Sequence, residues 1–121
     1  AGGVGASTVM VNLACMAAQQ LHSREIIGVE MTPGHGSFRN FYGGAEDKKI
    51  LEDFLKMPIN EIAPDVIDPE LIRMSYGPQI LTAGDSLNFN RYYEQHDHAL
   101  KVMQQVNKMA PLAFFDFGSM P

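Results

Sequence analysis

Cysteine is almost missing from this chain of 121 residues: Cys15 is the single one, which excludes an internal disulfide and fits a reducing compartment. Set among Leu13, Ala14, Met16 and Ala17, it reads as a small buried side chain rather than a reactive thiol. Long apolar runs are lacking too. None approaches the roughly 20 residues that span a bilayer, and no signal-peptide pattern opens the sequence. The expectation is a cytoplasmic chain with no transmembrane segment. Basic charge is scarce, with 9 Lys and Arg against 14 Asp and Glu and a net charge of −5. That balance argues against a nucleic-acid surface, which normally carries a basic patch. Nothing repeats, and no low-complexity linker divides the chain. The length allows one domain at most, and 45% hydrophobic residues suffice for a core. The 8 methionines are ordinary fillers of core gaps.

What is present begins at once. Ala1-Gly2-Gly3-Val4-Gly5-Ala6-Ser7-Thr8 places three glycines in a short span, and glycine tolerates positive φ without a Cβ clash. Such a loop points successive N–H groups inward at a helix start and forms a nest for anions. Gly2, Gly3, Val4, Gly5, Ala6, Ser7 and Thr8 are therefore the candidate phosphate-binding residues, and the Ser7 hydroxyl is in place to reach a phosphate-bound Mg²⁺. A flexible turn before an ordinary helix is the plainer alternative. One departure stands out: a phosphate loop normally ends Gly-Lys-Ser/Thr, and Ala6 occupies the lysine position.

Residues 8–22 read as a helix, with Val9, Leu13, Met16, Ala17 and Leu21 near helical spacing and Ala and Met on the other face. Arg24 to Glu30 reads as a short buried strand, and Met31 to Gly36 as a Pro/Gly loop. Asp47 to Lys56 reads as an amphipathic helix. Its Ile50, Leu51, Phe54 and Leu55 are apolar, and its charged residues form a solvated face. Prolines 58, 64 and 69 break the next stretch into short turns. Gln79 to Gly84 is a second strand running into a glycine turn. Asn90 to Met109 is the longest periodic segment, with Tyr93, Leu100, Met103, Val106 and Met109 marking a buried face. His96 and His98 sit two apart, on different sides of a helix, which disfavours a metal site there. Leu112 to Gly118 closes the chain as an apolar strand ending in Asp116.

Taken in order, these segments resemble the ParA/MinD family. Gly2-Gly3-Val4-Gly5-x-Ser7-Thr8 followed by Val11-Asn12-Leu13-Ala14 looks like its deviant Walker A, Lys-Gly-Gly-Val-Gly-Lys-Ser/Thr-Thr. Both lysines are absent, replaced by Ala1 and Ala6. The loop is similar to a degenerate branch, the CpaE/TadZ-type proteins of Flp pilus assembly; Asp68 to Tyr76 resembles the CpaE-type connection, and the strand at Gln79 the family's corresponding strand. The family's D-x-D-P-x-x-G aligns with Glu30-Met31-Thr32-Pro33-Gly34-His35-Gly36. Glu30 keeps a carboxylate at the first acidic position. Thr32 replaces the second, which the family uses to organise water and metal; a threonine can bond a water but cannot act as a base. His35 is either an acid/base group or, more simply, a solvated loop histidine. Asp116 looks like the Walker B aspartate that holds Mg²⁺ through water; a strand that simply ends in a turn aspartate is the plainer alternative. The lone cysteine tells against the iron-protein relatives.

The resemblance implies an α/β doubly wound parallel sheet with P-loop NTPase topology, incomplete over these residues. Residues 1–121 would be the N-terminal portion, Walker A through Walker B, of a single nucleotide-binding domain, since no strand precedes Ala1. It implies ATP and Mg²⁺ as cofactors, held weakly or statically, with Ser7 and Asp116 at the metal and no catalytic residue assigned. The function implied is a scaffold or localisation protein for pilus assembly or secretion, at most a weak ATPase. Its partners would be the proteins of that machinery, with a homodimer as an open arrangement and recruitment to the inner membrane or cell pole. An active ParA/MinD-type ATPase in partitioning or positioning is the alternative, and an ATP-dependent synthetase on the same fold a third.

Overall fold

The computed structural model describes residues 25–32, 36, 47–73, 77–84 and 96–118. At its centre is β1 (Ile26–Glu30), a continuous apolar run rather than an alternating one, and every residue of it is buried. A strand of that composition belongs inside a parallel sheet covered on both faces. It pairs on one side with β2 (Gln79–Leu81) and on the other with β3 (Leu112–Asp116), both parallel, in the order β2-β1-β3. The register opposes Val29 to Leu81 and Glu30 to Asp116. All three strands thus end together at one edge of the sheet.

Parallel neighbours cannot be joined by a tight turn and need a long crossover. Between β1 and β2 the chain makes α1 (Leu51–Lys56), a 3₁₀ turn at Ile59–Glu61, α2 (Pro64–Ile67) and a second 3₁₀ turn at Asp68–Glu70. The proline-broken stretch is therefore the series of short turns expected from sequence. Between β2 and β3 runs α3 (His96–Met109), which packs on α1, α2 and β3. The sheet face carrying Ile27, Val29, Met31, Leu81 and Ala83 joins Leu51, Phe54, Leu55, Ile62, Ile67 and Leu71 in one core. Each fully buried Leu or Phe contributes about 1.5–3 kcal/mol. Leu112 to Phe115 of β3 are only half-buried.

Two expectations need correcting. The helix expected from Asp47 begins at Leu51 instead, because other groups claim the preceding backbone. Lys49 N–H donates to Glu70 Oε1 at 2.8 Å, Lys48 Nζ donates to the Pro69 carbonyl at 2.8 Å, and Ile50 N–H donates to Asp53 Oδ2 at 2.9 Å. The last is half of a capping box and fixes the helix start. The buried face of α3 is also rotated from the one expected. Val106 is buried as expected, but Ala99 and Val102 are buried beside it, whereas Leu100 is 42% exposed and Met103 and Met109 only half-buried. Small side chains at i, i+3 and i+7 let this helix approach α1 and α2 closely, so size alone misplaced the stripe.

The phosphate loop at 1–8, the helix at 8–22, Cys15, His35, Tyr93 and the start of the long periodic segment lie outside the described residues. Among the described residues, no helix is long and apolar enough to cross a membrane.

Candidate functional site

In open parallel α/β sheets, ligands bind beyond the carboxyl ends of the strands. Here that edge gathers Glu30 and Thr32 from β1 and its continuation, Thr82 to Gly84 after β2, and Asp116 to Gly118 at the end of β3. Alternation along the strands puts Glu30 and its register partner Asp116 on the same face, opposite the one that carries Ile27, Val29 and Met31. Burial is nearly complete, with Glu30 1% and Asp116 7% exposed.

Asp116 is fixed by its own turn. Its Oδ1 accepts the Gly118 N–H at 2.8 Å, and the Met31 N–H donates to its carbonyl at 2.7 Å. Gly118 has φ +69°, a left-handed conformation that favours glycine. A Cβ built there would lie 2.8 Å from Thr32 Cγ2, so Thr32 and Asp116 converge on the same glycine. The Thr32 Oγ1 is buried and, among the described residues, has no hydrogen-bond partner. An orphaned buried hydroxyl in a native fold calls for an explanation; at this edge, the simplest is a water or ligand oxygen.

Glu30 is spent differently. Its Oε1 accepts the Ala83 N–H at 3.0 Å, tying β1 to the turn after β2. The carboxylate at the first acidic position of the motif thus has a structural role. Glu52 repeats the arrangement from α1: both its oxygens accept the Gly84 N–H, at 3.1 and 3.0 Å. The pattern predicts Glu52 on a solvated helix face, yet it is only 3% exposed. The signal was available: at 100° per residue, Glu52 lies about 60° from Leu55, at the margin of the apolar stripe rather than opposite it.

Of the site residues expected from sequence, Asp116 stands at the strand-end edge, and Gly2 to Thr8, including Ser7, lie outside the described residues. His98 has Nε2 3.0 Å from the Met57 carbonyl, a contact that joins α3 to the end of α1. Among the described residues, no group of three or more His, Cys, Asp or Glu could hold a metal ion. The Arg73–Asp68 ion pair, at 2.7 Å, sits with Gln79 at the start of β2, away from this edge.

No family model matches this sequence. No curated protein matches it either. Among solved structures, it is similar to the crystal structure of a ParA family ATPase from Chlorobium tepidum TLS, with a TM-score of 0.73 and 15% identity. The match covers 99% of this chain and 49% of that one, so the chain spans about half the length of its neighbour. The fold is thus the α/β parallel-sheet fold of that ATPase.

Proposed function

We propose that this chain is part of a degenerate nucleotide-binding protein of the ParA/MinD type, closest to the CpaE/TadZ kind. It binds ATP with Mg²⁺ statically, hydrolyses little or none, and positions the proteins of a pilus-assembly or secretion machine. The observation that carries this reading is the division of labour at the strand ends. Asp116 remains at the edge, Glu30 is tied to Ala83, and position 32 offers a hydroxyl where hydrolysis asks for a carboxylate.

The residues fit the metal in the way Mg²⁺ is usually held, by one or two protein groups and otherwise by phosphate oxygens and water. Asp116, acting through water, and the Ser7 hydroxyl would hold it, and the unpartnered Thr32 Oγ1 suits a bound water. When bound, the ion neutralises phosphate charge. The backbone amides from Gly3 to Thr8 do not depend on a lysine side chain, so phosphate affinity falls without vanishing. A charge-assisted hydrogen bond contributes about 1.5–3 kcal/mol, so the missing lysine costs roughly 10- to 150-fold in affinity.

Calorimetric titration with Mg-ATP, against an Ala6→Lys variant, is the test. Parent binding that the variant tightens supports the reading; a variant that binds no tighter undermines the cradle. The structural likeness to a ParA family ATPase favours a second reading, an active ATPase of the partitioning or positioning class. Steady phosphate release that disappears in Asp116→Ala would establish that reading and displace the first.

A further inference from the structure

We propose that Glu52 is a positioning residue for the nucleotide site, acting through Gly84 on Gly36, four residues after Thr32. This rests on the functional reading above and adds a part to it. Burying a carboxylate is costly unless its oxygens are hydrogen-bonded, and a helix residue at the margin of the stripe could turn to solvent. Glu52 instead closes both oxygens on one amide, that of Gly84. A Cβ on Gly84 would stand 3.0 Å from Glu52 Oε2 and 2.8 Å from Ile50 Cδ1. The approach is therefore as close as a side-chain-free backbone permits. A second bond from the same helix start, Leu51 N–H to the Thr82 carbonyl at 2.8 Å, holds the turn two residues earlier.

The turn passes this constraint on. The Gly84 carbonyl accepts the Gly36 N–H at 2.8 Å, and a Cβ on Gly36 would fall 2.1 Å from the Ala83 carbonyl oxygen. Gly36 is thus pressed flat against the backbone that Glu52 and Glu30 hold from behind. Thr32, with its orphaned hydroxyl, begins the loop that Gly36 ends. The position of Gly36 against the turn after β2 is consequently set in part by α1, an element remote from residues 1–8 in sequence.

The test compares the parent protein with Glu52→Ala, Glu52→Gln and Glu52→Asp, below the melting temperature of each. Amide exchange at Gly36 is read by NMR against Gly28 inside β1, and Mg-ATP affinity by calorimetry. In Glu52→Ala, Gly36 exchange should rise about tenfold relative to Gly28, and Kd should weaken about tenfold. Glu52→Gln retains a side-chain carbonyl that accepts the Gly84 N–H and should stay within about threefold of the parent. Should Glu52→Ala fail to fold, Glu52→Asp decides, since its shorter reach withdraws the acceptor and should reproduce both changes. Faster exchange with unchanged Kd would reduce Glu52 to a structural staple, and unchanged Gly36 exchange would overturn the relay outright. A parent that binds no Mg-ATP defeats the functional reading instead; Gly36 exchange then still decides whether Glu52 holds the loop.

Discussion

Replacing Gly118 with alanine tests the convergence of β1 and β3 at the site, because two separable costs meet at that residue. The first is conformational: a left-handed residue with a Cβ costs about 1–2 kcal/mol, and Gly118 sits at φ +69°. The second is steric: the new Cβ would lie 2.8 Å from Thr32 Cγ2, and overpacking of this kind costs about 1–3 kcal/mol. Gly118→Ala should therefore destabilise the protein by about 2–5 kcal/mol. Thr32→Ser removes Cγ2 and keeps the hydroxyl, so in that background only the backbone cost should remain. A double-mutant cycle then isolates the contact, with an expected coupling of about 1 kcal/mol or more. The chain has no tryptophan, so unfolding in urea is best followed by far-ultraviolet circular dichroism. Coupling below about 0.3 kcal/mol would mean additive, independent sites. Thr32 and Asp116 would then not share a wall, and the argument for a common site would collapse.

Three further outcomes are expected. Val102→Ala should cost about 1–3 kcal/mol and Leu100→Ala about 0.5 or less; equal losses in thermal unfolding would contradict the rotated face of α3. Glu30→Ala should lose at least about 2 kcal/mol, through a cavity and a stranded Ala83 N–H, while Glu30→Gln recovers most of it by keeping an acceptor. Under the proposed function, self-association or docking on a partner should be the same with ATP, ADP or no nucleotide, since the methyl group of Ala1, where the motif has a lysine, offers phosphates neither charge nor donor. Sedimentation under the three conditions checks this, and a dimer formed only with ATP would remove the scaffold reading.

Much of the architecture was legible because apolar pattern and element order carry it. Ile26 to Val29 and Leu112 to Phe115 are short apolar runs, the form that strands of a parallel sheet take. Asp116 stood out by ending the second run. Other features depend on partners distant in the sequence. Nothing local says that Lys49 N–H meets Glu70, yet that bond delays the start of α1. The face of α3 went astray because Leu100 is larger than Ala99 and Val102, whereas close helix packing rewards the small side chains. Glu52 was missed since a charged side chain beside an apolar stripe is usually solvated, and its acceptor role depends on Gly84, 32 positions along the chain. Likewise, Gly36 and Gly84 read as loop punctuation until the turn that each presses against is known.

The fate of Glu30 bears most directly on the chemistry. A carboxylate at the end of a central parallel strand is well placed to meet a ligand, but here it is also the acceptor for the Ala83 N–H, a residue 1% exposed. Swinging Glu30 toward a bound metal or water would strand that amide at about 1–3 kcal/mol, a cost to be met on every turnover. Position 32 could supply a carboxylate without that conflict, because the side chain there has no hydrogen bond to lose. The sequence puts threonine at that position, which can hold a water but cannot take its proton near neutral pH. The edge therefore combines a fixed acceptor at Glu30, an aspartate held in its own turn at Asp116, and a hydroxyl on Thr32 just past the end of β1. Under the proposed function, such a set favours holding a hydrated phosphate–metal group over activating the water beside it. A protein built this way gains from a rigid edge, which is the service that Glu52, Gly84 and Gly36 would provide.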